Sequence, residues 1–475
     1  MASKRKAYLI VPPTGFYIRE DRCQTPIKDL KTVALRPPID LMYAAAAFER
    51  GGCDCRIADF PAEALNWNDL EQRLGDLRPD YLVLSITTPS LDDDLQAARI
   101  AKRISPATTV IAKGAHFNVL DATTLERHGG LDAVLRGEYE PACEAIARGE
   151  PLADIPGVTS RDASGAIHRS PDAGFIADLD RLPFPARHLV RNELYVRPDT
   201  GEPQTTLVTN RGCPYQCVFC LAPQVGGRKN RYRSIGNVRQ EIEACLSRFN
   251  IRNFLFRSDL FTQRRDWVIE LCREILARRL SIEWVCNSRV DTLDPEMLDW
   301  MKRAGCWLIA FGIESGDDRM LELMNKRADS AKAREAIRQT ARAGIRSSVY
   351  MLMGLPWEDE QTIRENIAFF RDLDADFVEI FYVYPFPGTA LYDTAVREGL
   401  LAAGEIPREA YGEPAMPTLH LSTAELAQWR RRAMRKLLLR PRYVARTLAR
   451  CRSPRELFNY VRYGWMQLVD LARKE

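Results

Sequence analysis

The chain has 475 residues, of which 46% are hydrophobic and 28% charged. This is globular composition, long enough for two or three domains with real cores. It excludes a disordered chain, a collagen-like fibre and a small disulfide scaffold. The net charge of +4 is unevenly spread. Residues 430–475 hold 14 Lys or Arg against Glu456, Asp470 and Glu475, a net +11, so residues 1–429 carry −7. A basic tail of this kind points to an anionic partner or surface. No stretch approaches the ~18 apolar residues a membrane helix needs. The apolar run Ala7–Val11 stops at Pro12-Pro13, too short for a signal-peptide core. The chain reads as cytoplasmic, and its twelve cysteines then suggest metal or catalysis rather than disulfides.

Residues 1–150 alternate predicted strands with helical patterns. The strands are Ala7–Val11, Cys55–Ala58, Tyr81–Ile86, Thr109–Ala112 and Ala133–Leu135. Helices are expected at Leu41–Arg50, Leu91–Ile104 and Ala122–His128. This alternation predicts an α/β domain, a doubly wound parallel, Rossmann-like sheet. Residues 151–200 are expected to be a linker. It holds a hairpin over Val158–His168 and a stiff Leu182-Pro-Phe-Pro185 segment.

Residues 201–395 predict a second α/β unit. Strands are expected at Thr205–Thr209, Asn253–Arg257, Ile282–Cys286, Trp307–Gly312, Ser348–Met353 and Phe377–Tyr382. Six strand–helix units fit a partial (β/α)6 TIM-type barrel better than eight. One helix is punctuated by Asp294, Pro295 and Gly305. Residues 396–475 predict a helical, basic C-terminal region, broken near Pro441 and Pro454.

The strongest motif is Cys213-Pro-Tyr-Gln-Cys217-Val-Phe-Cys220, just after the first barrel strand. Barrel enzymes place their chemistry at that end. Chance alone yields on the order of 0.01 such spacings in a chain with this many cysteines. Three thiolates on one loop suit three irons of a cubane cluster, leaving the fourth iron open. A structural zinc site is the alternative, but no second Cys pair or His pair follows to close it.

Cys213, Cys217 and Cys220, in a CxxxCxxC loop after a barrel strand, resemble the signature of the radical SAM enzymes. The resemblance implies a 4Fe-4S cluster on those cysteines and S-adenosylmethionine on the open iron. One electron then cleaves the latter to a 5′-deoxyadenosyl radical. Phe219 matches the aromatic that the family sets beside the adenine. Gly312-Ile-Glu314-Ser-Gly316 and Gly354-Leu-Pro356 resemble the cofactor-contacting segments after the fourth and fifth strands. Asn287 and Arg289 would face the cofactor from the third strand. Asp259 would orient cofactor or substrate as a catalytic residue; a helix N-cap is its competing role.

Arg36-Pro-Pro-Ile39, Arg136-Gly-Glu138, Leu182-Pro-Phe-Pro185 and Tyr384-Pro-Phe-Pro387-Gly-Thr389 extend the likeness to the branch with an N-terminal cobalamin-binding domain. The Asp-x-His-x-x-Gly motif that supplies a lower cobalt ligand is missing from the sequence. The resemblance therefore implies a base-off cobalamin without a His ligand, held near Ser85, Thr87, Thr88 and Gly114 to His116. It implies a cobalamin-dependent C-methyltransferase for an unactivated carbon of a natural product or lipid-like substrate, with flavodoxin or ferredoxin as reductant.

Three rivals remain at this level. They are a radical cyclase or carbon–carbon coupling enzyme, an RNA-modifying enzyme, and a non-catalytic metal-binding module. Nucleic acid is disfavoured, since Cys23, Cys53, Cys55 and Cys143 do not form the second cluster set that methylthiotransferases carry. Cys245, Cys272 and Cys306 read as apolar fillers. The tail from Arg430 reads either as a peripheral membrane contact or as a helix packing its apolar stripe on the barrel, and the second is favoured.

Overall fold

The computed structural model describes residues 4–20, 23–26, 35–408 and 410–473. Two compact units emerge. Among the described residues, the first comprises 4–20, 23–26, 35–194 and 221–231, and the second comprises 195–220, 232–408 and 410–473.

In the first unit, five strands run parallel in the order β4 (Asp54–Asp59), β1 (Lys6–Val11), β5 (Tyr81–Ser85), β6 (Thr109–Lys113), β7 (Ala133–Leu135). The inner strands β1, β5, β6 and β7 are largely apolar runs buried on both faces, as parallel strands demand, whereas the edge strand β4 exposes Asp54 and Arg56. One face is covered by Leu41, Ala44 and Phe48 with Cys143 and Ile146. The other is covered by Leu70, Leu74, Ala97, Phe117 and Leu125. The helix Trp67–Leu77 went unpredicted, although Asn66 and Asp69 form a capping box at its start. The expected helix Leu91–Ile104 is split into Leu91–Asp94 and Gln96–Ile104.

Two departures concern strands. A short hairpin, β2 (Tyr17–Glu20) with β3 (Cys23–Pro26), follows β1. The hairpin expected in a linker instead extends the sheet: β8 (Val158–Arg161) and β9 (Ile167–Arg169) add antiparallel beyond β7. The physical reason is the free edge of β7, whose backbone groups need partners.

The second unit holds β10 (Gln204–Arg211), the two-residue β11 (Arg231–Tyr232), β12 (Asn253–Ser258), β13 (Glu283–Ser288), β14 (Cys306–Glu314), β15 (Arg346–Met353) and β16 (Phe377–Tyr382). From β10 to β16 all six long strands are parallel neighbours in chain order, and β16 does not pair back with β10. This is the open six-stranded barrel. Alternate side chains divide its faces. Phe256, Trp284, Phe311 and Met351 point to the helix-covered core. Arg257, Asn287, Gly312, Glu314, Tyr350 and Glu379 occupy the opposite register. Asp294 caps its helix by accepting the Met297 N–H at 3.0 Å, as expected.

The C-terminal region is three helices, Thr423–Leu438, Pro441–Ala449 and Pro454–Arg473, broken at the two prolines. Leu426, Trp429, Ala433 and Leu437 of the first join the barrel core. The apolar-stripe reading holds for this helix alone.

Candidate active site

The cysteine loop leaves β10 through Gly212 at φ +95°, a conformation natural to glycine. The Gly212 N–H donates to the Asp259 carboxylate. Asp259 caps no helix, because Leu260 occupies the N-cap of the short 3-10 turn that follows. It acts instead as an anchor for the start of the loop. Further on, the Val218 N–H donates to the Met324 carbonyl at 3.0 Å, and the Asn325 amide to the Gln216 carbonyl at 2.9 Å. The Leu391 N–H donates to the Val218 carbonyl at 2.9 Å. The loop is thus tied to segments after β12, β14 and β16.

Cys213, Cys217 and Cys220 form no disulfide and are half-buried. Among the described residues, no three His, Cys, Asp or Glu side chains already converge on one metal position, these three included. The donor set fits an iron–sulfur cluster chemically: three thiols within eight residues, on a loop held from three sides, beside two cations. The Arg289 guanidinium lies 3.7 Å from the Tyr215 ring centre, and the Lys326 ammonium 6.0 Å from that of Phe219. Val218 and Phe219 pack on the apolar cluster of Met320, Leu352, Leu355 and Leu391.

Lys326 escaped the sequence reading. It is buried, and its ammonium bonds Glu314 Oε1 at 2.9 Å. Burial works against the charge, but the Glu314 carboxylate outweighs it, and the Lys326 pKa lies above the ordinary lysine value. Glu314 itself adopts φ +71°, unusual for a non-glycine residue. Gly312 makes room for the pair, since a Cβ there would stand 2.5 Å from Glu314 Oε1. Gly316 has a different cause: a Cβ would strike the Phe369 ring at 2.1 Å. The structure gives Gly316 a packing reason to be glycine. Arg289 is buried, paired with Asp291 at 2.8 Å and donating to the Arg327 carbonyl at 3.0 Å. Asn287 lies half-buried near the end of β13.

Glu358 is the second residue missed. It is fully buried and accepts the Gly354 and Leu355 N–H groups at 2.6 and 3.0 Å, fixing the turn after β15. Burial pushes its carboxyl up to about 7, against the pull of those two bonds. Since the folded-state value exceeds the ordinary 4.5, its contribution to stability is full below 4.5 and lost as pH rises through 7. The difference amounts to about 3 kcal/mol. Melting temperature measured from pH 5 to pH 8 should fall for the native chain, and Glu358→Gln should remove that slope.

In the first unit, the expected cobalamin contacts lie at the carboxyl ends of β5 and β6, where ligands bind such sheets. Gly114 adopts φ +153°, and a Cβ would meet the Ile86 carbonyl oxygen at 2.3 Å. His116 is buried, with Nε2 3.1 Å from Thr124 Oγ1 and Nδ1 unpartnered. Burial pushes its pKa down to about 4, so the ring is neutral. A close backbone approach and an orphaned polar atom at strand ends fit a bound cofactor there. The Thr87 hydroxyl lies 2.5 Å from that of Ser90, and Ser90 continues to Asp94. The Ser85 carbonyl accepts from Arg19, and the Thr88 N–H donates to Gln24, both from the β2–β3 hairpin.

The Arg136-Gly-Glu138 motif acquires a structural explanation. Glu138 forms a buried two-pronged pair with Arg231, at 2.8 and 2.7 Å, and accepts the Ile176 N–H. Cys53, Cys55 and Cys143 are buried fillers of the core, as are Cys245, Cys272, Cys286 and Cys306. The side chain of Cys23 lies outside the described residues.

Comparison with known proteins agrees with this geometry. Residues 207–370 match the radical SAM superfamily, and residues 31–147 match the B12 binding domain. The chain belongs to the radical SAM superfamily, in the group that carries a B12 binding domain ahead of the radical SAM core. A 4Fe-4S cluster, S-adenosylmethionine and cobalamin are the cofactors of that group. An uncharacterized methyltransferase of Pyrococcus horikoshii is 28% identical over 93% of this chain and 94% of its own length. An anaerobic magnesium-protoporphyrin IX monomethyl ester cyclase of Rubrivivax gelatinosus is 25% identical over 75% of this chain and 66% of its own. The cobalamin-dependent S-adenosylmethionine radical enzyme OxsB superposes with a TM-score of 0.73 at 16% identity, over 98% of this chain and 71% of that one.

Proposed function

We propose that this radical SAM enzyme transfers a methyl group to an unactivated carbon of a small molecule. The observation that carries it is the nearly end-to-end match with a methyltransferase, on a chain that joins both cofactor domains. When bound, the cluster supplies the electron that cleaves S-adenosylmethionine, and cobalamin supplies the methyl group. The residues of the chain bind and orient. Cys213, Cys217 and Cys220 would hold the cluster, and Asp259 holds the start of their loop. Phe219, Asn287, Arg289, Gly312, Glu314 and Gly354 would receive S-adenosylmethionine, with Lys326 fixing the Glu314 carboxylate. Ser85 and Gly114 stand at the strand ends that would receive cobalamin. A ferredoxin- or flavodoxin-type protein would serve as reductant.

The cyclase relative supports a second reading, radical ring closure without methyl transfer. One experiment separates them. Anaerobically reconstituted protein is incubated with trideuteromethyl S-adenosylmethionine, a reductant and a small-molecule extract. Methyl transfer yields 5′-deoxyadenosine, S-adenosylhomocysteine and a product heavier by the labelled methyl. Sustained 5′-deoxyadenosine without S-adenosylhomocysteine would overturn it in favour of cyclisation.

A further inference from the structure

We propose that the outward face of the last helix, Pro454–Arg473, docks on an anionic lipid bilayer. Of the thirteen large hydrophobic side chains exposed among the described residues, eight lie between Leu439 and Leu468. Five of them, Leu457, Phe458, Val461, Trp465 and Leu468, fall within one arc of roughly 100° at 3.6 residues per turn. Phe458 is 65% exposed and Trp465 68%.

This arc cannot turn inward. The opposite side of the same helix is committed to the amino-terminal ends of the barrel strands. Glu456 is buried against Arg346, which begins β15. Asn459 donates to the Asp199 carbonyl at 2.8 Å, and the Tyr460 ring stacks on Phe377 at the start of β16. The neighbouring helix is held by Arg446 on Asp374 at 2.7 Å and Arg450 on Asp376. The last two helices therefore dock by ion pairs, polar groups and one aromatic stack, and the final helix leaves its apolar stripe facing out.

Charge selects the occupant. Arg455 and Arg462 border the stripe and are exposed. A second copy meeting this face by two-fold symmetry would set those arginines against their own equivalents. Lipid phosphates meet them with the opposite sign, while Phe458 and Trp465 enter the interface. No described helix is long and apolar enough to cross a membrane, so the helix lies in the surface plane.

The test is co-sedimentation of the full reconstituted chain with phosphatidylcholine vesicles, made with and without phosphatidylglycerol. Binding should rise at least about tenfold with the anionic lipid and weaken with salt. The variant Phe458→Ser/Trp465→Ser should lose that gain with its melting temperature unchanged. Equal sedimentation of the variant, or none by the native chain, would overturn the proposal. So would a doubled mass in light scattering that the same variant abolishes, which would assign the stripe to a second copy.

Discussion

Cys217→Ala is expected to abolish cleavage of S-adenosylmethionine while leaving the fold intact. The reasoning separates chemistry from stability. Cys217 is half-buried on a loop, not in either core, so its truncation should cost no more than about 1 kcal/mol. A cluster with two protein thiolates instead of three is a different object. Iron content after anaerobic reconstitution should fall below that of the native chain, and 5′-deoxyadenosine formation should drop by about 10³-fold or more. Cys213→Ala and Cys220→Ala should behave alike. Cys245→Ala is the internal control: it empties core volume, lowers the melting temperature and leaves the iron in place. Full iron loading of Cys217→Ala would reject the assignment.

Glu314→Ala should have the largest effect on stability. The Glu314–Lys326 pair is buried, and removing one partner leaves a charge without compensation, at a cost of about 3–5 kcal/mol. Replacing both is different in kind. Glu314→Gln/Lys326→Met carries no buried charge and should recover more than half of that loss in a denaturant titration. The double variant should still bind S-adenosylmethionine poorly, because the strand end that receives it has lost its carboxylate. Recovery of stability without recovery of binding would separate the two roles. A single variant as stable as the native chain would show that the pair is not the clamp described here.

Much of the architecture was legible because parallel sheets write themselves locally. Short apolar runs such as Tyr81–Ser85 and Phe377–Tyr382, spaced by helical patterns, admit few other folds. The helix capped by Asp294 and the breaks at Pro441 and Pro454 are equally local. The β8–β9 hairpin was visible as a hairpin, but not as part of the sheet. Its partner, β7, lies more than twenty residues upstream, and edge pairing leaves no local mark. Thr87 and Gly316 have neighbours that no local pattern announces, for a related reason. A hydroxyl near a strand end and a glycine in a motif each suggest a ligand, while their actual neighbours, Ser90 and Phe369, come from packing.

What the sequence determined by itself is the chemistry on offer: three thiols at the CxxxCxxC spacing after a strand, and a basic tail. Spacing along a short loop survives any tertiary arrangement, so it can be read directly. What only the tertiary structure decided is which charges meet. Lys326 reaches Glu314 across twelve residues, Asp259 reaches Gly212 across 47, and Glu138 reaches Arg231 across 93. These contacts have no period or motif, because ion pairing depends on distance in space and burial, not on separation along the chain. The tail shows the same division. Its +11 charge is written in the composition. That Arg446 and Arg450 are used in docking, while Phe458 and Trp465 are left facing outward, follows from where β15 and β16 begin.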